Sequence, residues 1–380
     1  MPERFFNHAY FEDGRLLSQG PLGLTTLEIA EAAMREIVQL ELSASPFDVF
    51  MTDLLDPYTS SFRWVAQLGQ IRETRTALSG LFGRFVARAY LTRYHGFQHF
   101  EPIRGDLSAM GAWPGLVLER TGAGDLPDWV VSPAEGQGDV AVAEAKGSHN
   151  ASGPKAALDR AYEQARRVGV MAAGVELEIK RYAIATRWAV AGDPKLQTAH
   201  LWVDDPKEGE REATPKERLA LQRSIGLGHF AALARGMGYG ITARQLSGAK
   251  SKEPGQLELD ASDLVLVDGE WGARLMMIAV VTRSGIVRMP QGGAEDFQAG
   301  LASVFGDEAL IMAVDVETLK SIDQMAFGTA HEARFRDSVP DDGFWSQPRA
   351  QADGVELLPL NAVAIKGRGV GVDLIGPQET

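Results

Sequence analysis

Asp128-Trp-Val-Val131, followed after a Pro- and Gly-containing turn by Asp139-Val-Ala-Val-Ala-Glu144-Ala-Lys146-Gly147, is the stretch that decides the fold. Both runs are apolar, rich in β-branched residues and bounded by Gly and Pro, so both read as strands. Side chains alternate between the two faces of a strand, which sets Val140, Val142, Glu144 and Lys146 on one face. Two strands joined by a turn bring Asp128 beside Glu144. Two carboxylates and one ammonium on one sheet face suit a hard divalent cation and phosphate chemistry. The carboxylate oxygens hold the cation, and the lysine adds a positive charge beside it.

An acid-x-Lys tripeptide alone is weak evidence, since about two or three are expected by chance in a chain of this length. There are four here: Glu144-Lys146, Glu178-Lys180, Asp193-Lys195 and Asp205-Lys207. The last two carry a central Pro, which cannot join a strand ladder. Glu178-Lys180 opens its strand and has no Pro-Asp strand ahead of it. Glu144-Lys146 alone combines the apolar strand, the glycine exit and the preceding Pro127-Asp128. The other reading of this stretch is an ordinary hairpin with a salt bridge at its edge.

This pattern resembles the PD-(D/E)XK nuclease superfamily, the fold of many restriction endonucleases. The resemblance covers roughly residues 74 to 203, about a third of the chain. Downstream, Lys155–Val168 reads as a helix containing Gln164, where several branches of that family carry a helical Gln, and Glu178–Arg187 reads as a strand. The resemblance implies an α/β protein with a restriction endonuclease-like α-β-β-β-α-β core. It also implies Mg²⁺ or Mn²⁺ held by Asp128, Glu144 and the Ala145 carbonyl, with Asp128, Glu144, Lys146 and Gln164 as the catalytic set. The first helix of the family often supplies one more acid. The helix expected here, Thr74–Tyr94, contains none, which leaves Glu73 at its start or Glu119 in Leu116-Val-Leu-Glu-Arg120 as substitutes.

Composition bounds the rest. The chain has 380 residues, 45% of them apolar and 23% charged, and no cysteine. That is enough for two or three domains, and it excludes disulfides and thiolate zinc sites. The polar N-terminus is not a signal peptide and no apolar run approaches the length of a membrane span, so the expectation is a soluble cytoplasmic protein. A net charge of −13 argues against a generic nucleic-acid binder. Locally the balance reverses: Arg63–His99 holds six Arg against Glu73 alone, and Lys155–Arg187 holds seven basic residues against four acids. Arg84, Arg88 and Arg93 on the first of these stretches are the expected phosphate contacts. Their other reading is a solvated helix face.

Working outward, residues 1–72 form a mixed N-terminal region. Within it Thr25 or Thr26 caps a helix over Leu27–Leu42 whose apolar stripe is Ile29, Ala33, Ile37 and Leu40. Residues 73–205 are the nuclease-like core. Asp204–Pro215, charged and Pro-containing, reads as a linker to an α+β region over 206–380. That region opens with a helix from Lys216 to about Arg235 and a loop over Ser247–Gly255. Strands are expected at Leu264–Val267, Leu275–Val281, Ala309–Val314 and Val355–Ile365, with helices around Glu295–Val304 and Glu317–Ala326. Gly248-Ala-Lys-Ser-Lys252 lacks the phosphate-loop spacing, and Gly367-Arg-Gly-Val-Gly371 has no following helix to complete a dinucleotide site.

The function expected is metal-dependent phosphodiester hydrolysis, of DNA ahead of RNA and endonucleolytic ahead of exonucleolytic, as in a prokaryotic defence or restriction nuclease. The expected partners are nucleic acid and other proteins of a defence complex, with homo-oligomerisation open and no membrane. The alternative is a catalytically inactive nuclease-fold module acting as scaffold or adaptor. A further alternative makes residues 206–380 an effector sensor with the nuclease as its output.

Overall fold

The computed structural model describes residues 3–42, 59–64, 72–111, 115–133, 138–149, 151–260, 263–269, 272–282, 285–288, 298–299, 309–324, 349–350, 355–359 and 364–366. In chain order the elements begin with β1 (Glu3–Glu12), β2 (Arg15–Thr25), α1 (Thr26–Gln39), β3 (Arg63–Trp64) and α2 (Arg72–His95). They continue with β4 (Phe97–Pro102), β5 (Leu107–Ala109), β6 (Leu116–Arg120), β7 (Trp129–Pro133), β8 (Ala141–Ser148) and α3 (Lys155–Ala165). Next come β9 (Val168–Ala172), β10 (Val175–Glu176), β11 (Ile179–Arg187), β12 (Ala189–Val190), β13 (His200–Asp204) and β14 (Lys207–Glu208). The last part holds α4 (Pro215–Gly236), α5 (Gly240–Ala249), β15 (Val265–Gly269), β16 (Gly272–Thr282), β17 (Gly285–Arg288), β18 (Ala309–Asp315), α6 (Val316–Gln324), β19 (Arg349–Ala350), β20 (Val355–Pro359) and β21 (Ala364–Lys366). The protein is mixed α/β, with six helices delimited within the described residues.

An eight-stranded mixed sheet positions the site. Its order is β2-β1-β13-β11-β8-β7-β4, with β14 added on β11. β4, β7 and β8 form an antiparallel succession, and α3 then carries the chain towards β11, which lies parallel to β8. Between these elements the chain also forms a small separate sheet, ordered β10-β9-β6-β5. With that sheet set aside, α2-β4-β7-β8-α3-β11 has the order α-β-β-β-α-β. Alternation along β8 divides the core as its sequence predicts. Ala141, Ala143 and Ala145 pack in the cluster that contains Phe82 and Phe85 of α2, whereas Val140 and Val142 pack in a second cluster with Leu116, Leu118 and Val168. α3 lays Ala157, Leu158 and Ala161 on Ala183 and Ala185 of β11.

The approach of α2 to β8 is unusually close. A Cβ at Gly83 would come within 2.6 Å of the Gly147 backbone nitrogen, and a Cβ at Gly147 would collide with the Ser79 carbonyl oxygen. Gly147 does not end the strand, as its sequence context suggests; β8 runs on to Ser148, and the glycine instead lets the helix touch the sheet. This contact fixes the height of Arg84, the residue after Gly83, relative to the end of β8.

Three further sequence expectations change. The helix from Lys155 stops at Ala165, and Val168 belongs to β9, because Arg166 caps the helix with its N–H on the Tyr162 carbonyl. Asp204–Pro215 is not a free linker. β14 pairs with β11, Arg181 N–H donates to the Pro206 carbonyl, and Glu178 N–H donates to the Arg211 carbonyl. The expected Ser247–Gly255 loop begins inside α5, which runs to Ala249. At the other end of the chain, β1 joins the same sheet parallel to β13, and α1 begins at a capping box between Thr25 and Glu28. Ser43–Pro57 and Gly367–Gly371 lie outside the described residues, as does Glu295–Val304 apart from residues 298 and 299.

A second large sheet in the C-terminal part is antiparallel, ordered β19-β20-β18-β16-β15-β21 with β17 on β16. One apolar cluster spans both parts. Phe85 of α2, Phe230 of α4, Met277 of β16, and Met312 and Val314 of β18 all belong to it.

Candidate functional site

The site forms where β7 begins beside β8. Pairing of Trp129 with Ala143 puts the preceding residue, Asp128, level with Glu144. Asp128 N–H donates to Glu144 Oε2 at 2.9 Å, and Ala145 N–H donates to Asp128 Oδ2 at 2.9 Å. Each carboxylate is thus fixed by the backbone of the neighbouring strand. Lys146 makes an ion pair with Glu144 Oε1, and its ammonium donates to Gln164 Oε1 at 2.7 Å. Gln164 in turn donates through Nε2 to the Leu126 carbonyl at 2.6 Å. Asp128, Glu144, Lys146 and Gln164 are therefore brought together, and Gln164 ties α3 to both Lys146 and the chain entering β7. The carboxylates lie beneath the surface: the Glu144 side chain is 0% exposed and that of Asp128 12%, against 29% for Lys146.

The expected basic groove on α2 is arranged differently. Arg84 makes an ion pair with Asp128 Oδ1 and donates through Nε to Glu36 Oε1 at 2.6 Å, while its guanidinium lies over the Trp129 ring, 4.5 Å from the centroid. Arg88 is 1% exposed and donates to Glu36 Oε2 at 3.1 Å and to Gln39 Oε1 at 2.7 Å. Arg93 is the most exposed of the three, and it pairs with Glu28 at 2.8 Å and Glu3 at 3.3 Å. All three Arg thus face acids, chiefly Glu28 and Glu36 on α1, as a ladder between helices. A phosphate cannot reach Arg88 without opening this network.

Glu36 is the residue that sequence reasoning missed. It is fully buried, and Trp129 Nε1 also donates to its Oε2 at 3.2 Å. Glu73, in the first turn of α2, and Glu119 of β6 are both exposed. The signal was present: Glu36 lies three residues after Ala33 and seven after Ile29, inside the apolar stripe of α1. An acid on a buried helix face needs a charged or hydrogen-bonding partner elsewhere in the fold.

Burial dominates the electrostatics. It raises the Asp128 pKa above the ordinary carboxylate value, against the opposing pull of Arg84 and the Ala145 N–H. Burial, then repulsion from Asp128, pushes Glu144 up to about 8, opposed by Lys146. Burial also works against the Arg84 charge, but Asp128 and Glu36 outweigh it and raise its pKa further above the ordinary value.

Two adjacent carboxylates are the donor type that a hard divalent cation takes, and the Ala145 carbonyl belongs to the residue between Glu144 and Lys146 on the same strand. What differs from an open metal site is that protein donors already occupy the carboxylate oxygens. Among the described residues, no group of three or more His, Asp or Glu side chains stands arranged to hold a metal ion. No helix among them is long and apolar enough to cross a membrane. Comparison with protein-family models, with curated proteins and with solved structures finds no match for this chain.

Proposed function

We propose that this chain is a divalent-metal-dependent nuclease built on a restriction endonuclease-like core, acting on DNA ahead of RNA. The observation that carries the reading is the backbone-locked pair of Asp128 and Glu144, with Lys146 ion-paired beside them on the same strand as Glu144. The α-β-β-β-α-β order of α2-β4-β7-β8-α3-β11 supports it. In this reading Asp128, Glu144 and the Ala145 carbonyl would hold Mg²⁺ or Mn²⁺, which supplies Lewis acidity and lowers the pKa of a bound water. Lys146 orients the attacking water or offsets the charge that builds on the phosphate, and Gln164 holds the Lys146 ammonium in position. A prokaryotic defence or restriction role, with protein partners, is the setting we infer for such an activity.

A second reading rests on a specific observation. Arg84 already neutralises Asp128, as in a nuclease-fold module that has become a scaffold or adaptor without chemistry. Cleavage of supercoiled plasmid with Mg²⁺, with Mn²⁺ and with chelator separates the two. The nuclease reading expects metal-dependent nicking that Asp128→Asn, Glu144→Gln and Lys146→Ala each abolish. Because the three act as one unit, their effects are non-additive. The scaffold reading expects no cleavage under any of these conditions.

A further inference from the structure

Every carboxylate oxygen at the site has a positive or N–H group against it. Asp128 Oδ1 meets Arg84 and Oδ2 meets the Ala145 N–H. Glu144 Oε2 meets the Asp128 N–H and Oε1 meets Lys146. Glu36 Oε1 meets Arg84, and Oε2 meets Arg88 and the Trp129 indole. Three acids, Glu36, Asp128 and Glu144, thus stand against three cations, Arg84, Arg88 and Lys146. Fully ionised, the cluster is neutral with no metal ion in it, whereas a divalent cation added to it would leave two uncompensated positive charges in a buried place.

These donors are not equally able to leave. The Ala145 and Asp128 N–H groups belong to the backbone. Arg88 is 1% exposed and enclosed between α1 and α2. Arg84 differs: its side chain is 17% exposed, and its guanidinium rests on the face of Trp129 rather than within a closed shell. If Arg84 turns outward, Glu36 Oε2 keeps Arg88 and the Trp129 indole, whereas Glu36 Oε1 and Asp128 Oδ1 both lose their partner.

We propose that Arg84 is the resident cation of this site, and that a divalent metal ion reaches Asp128 by displacing its guanidinium. The proposal rests on the nuclease reading for the identity of the incoming ion. It makes Arg84 a competitor for the metal rather than a phosphate contact, and it links metal loading to the packing of α1 on α2. Arg84 supplies no oxygen ligand, so its removal takes no ligand from the metal, although it also takes the partner of Glu36 Oε1.

Calorimetric titration with Mn²⁺ and Mg²⁺ tests this on the full chain. Arg84→Met keeps much of the stem over Trp129 and removes the charge; it should bind either ion about tenfold or more tightly than wild type. Arg84→Lys, which retains a single charge without the fork and secures the test if the Met variant folds poorly, should fall between them. Without metal the Met variant should melt below wild type, and millimolar Mn²⁺ should raise its melting temperature more than that of wild type. Adding Asp128→Asn to Arg84→Met should abolish the gain, which assigns the ion to this site. Equal affinity in wild type and Arg84→Met overturns the displacement proposal and leaves the nuclease reading intact. Weaker binding by the Met variant overturns it too, by making Arg84 a support. If no folded variant binds either ion at about millimolar concentration, both the proposal and the metal-dependent reading fall.

Discussion

Gln164 illustrates how one polar side chain joins three elements. It accepts from Lys146 and donates to the Leu126 carbonyl, and only 7% of it is exposed. Gln164→Ala leaves the Leu126 carbonyl without this donor and Lys146 with Glu144 alone. We expect a loss of about 1–2 kcal/mol in stability by urea denaturation, and a fall of about 10–100-fold in metal-dependent cleavage. Unchanged cleavage would remove Gln164 from the working set. His95 supplies a test away from the site. Its Nδ1 lies 3.1 Å from the Tyr182 hydroxyl and its Nε2 3.1 Å from the Tyr90 hydroxyl. Burial lowers its pKa from 6.5 to about 4, with Asp205 pulling the other way. The folded state therefore disfavours the imidazolium. The unfolded chain takes up a proton as pH falls below 6.5 while the native state does not, so the stabilising contribution, complete above pH 6.5, is lost between pH 6.5 and about 4. Melting temperatures across that range should fall less steeply in His95→Phe than in wild type, and parallel curves would contradict this.

The strands and helices that carry the site are legible in the sequence because local pattern and tertiary role agree there. Asp128-Trp-Val-Val and Val140–Lys146 are short, largely apolar runs, as strands buried on both faces should be, and α2 and α3 turn Phe82, Phe85, Leu158 and Ala161 into the core. The partners of the arginines are not legible. Glu28 and Glu36 lie on α1, far from α2 in sequence, and only folding reveals that the Arg ladder turns inward onto them. The same limit hides β14, because a charged Pro-containing stretch carries no local sign of pairing with β11. Gly147 reads locally as a strand stop, although its role is to admit α2. Gly147→Ala forces the new methyl group against the Ser79 carbonyl, so α2 must lift from β8. We expect a cost of about 3 kcal/mol or more in chemical denaturation, together with weaker pairing of Arg84 with Asp128. An alanine tolerated at no cost would contradict the close contact.

Across the whole molecule the acidic balance of −13 coexists with basic residues near the site, but exposure separates those available to a nucleic acid from those already paired. On α2, Arg84, Arg88 and Arg93 are engaged by acids of β1 and α1 and by Asp128. On α3, Arg160 is exposed and lies one helical turn before Gln164, the residue that holds Lys146. In the nuclease reading Arg160 is therefore a better phosphate contact than Arg88. Arg160→Ala should weaken binding of duplexes of unrelated sequence about equally, and should reduce the slope of log K against log salt by about one unit. An unchanged slope would place the nucleic acid elsewhere.

Metal-dependent chemistry at the Asp128–Glu144–Lys146 cluster is tested most directly by cleavage of supercoiled plasmid. The purified full chain is compared with Lys146→Ala, each with Mg²⁺, with Mn²⁺ and with chelator. Nicked or linear product is expected from wild type with metal only, and none from Lys146→Ala at equal folded concentration. Absence of metal-dependent product from folded wild type, or equal product from the variant, would contradict the assignment.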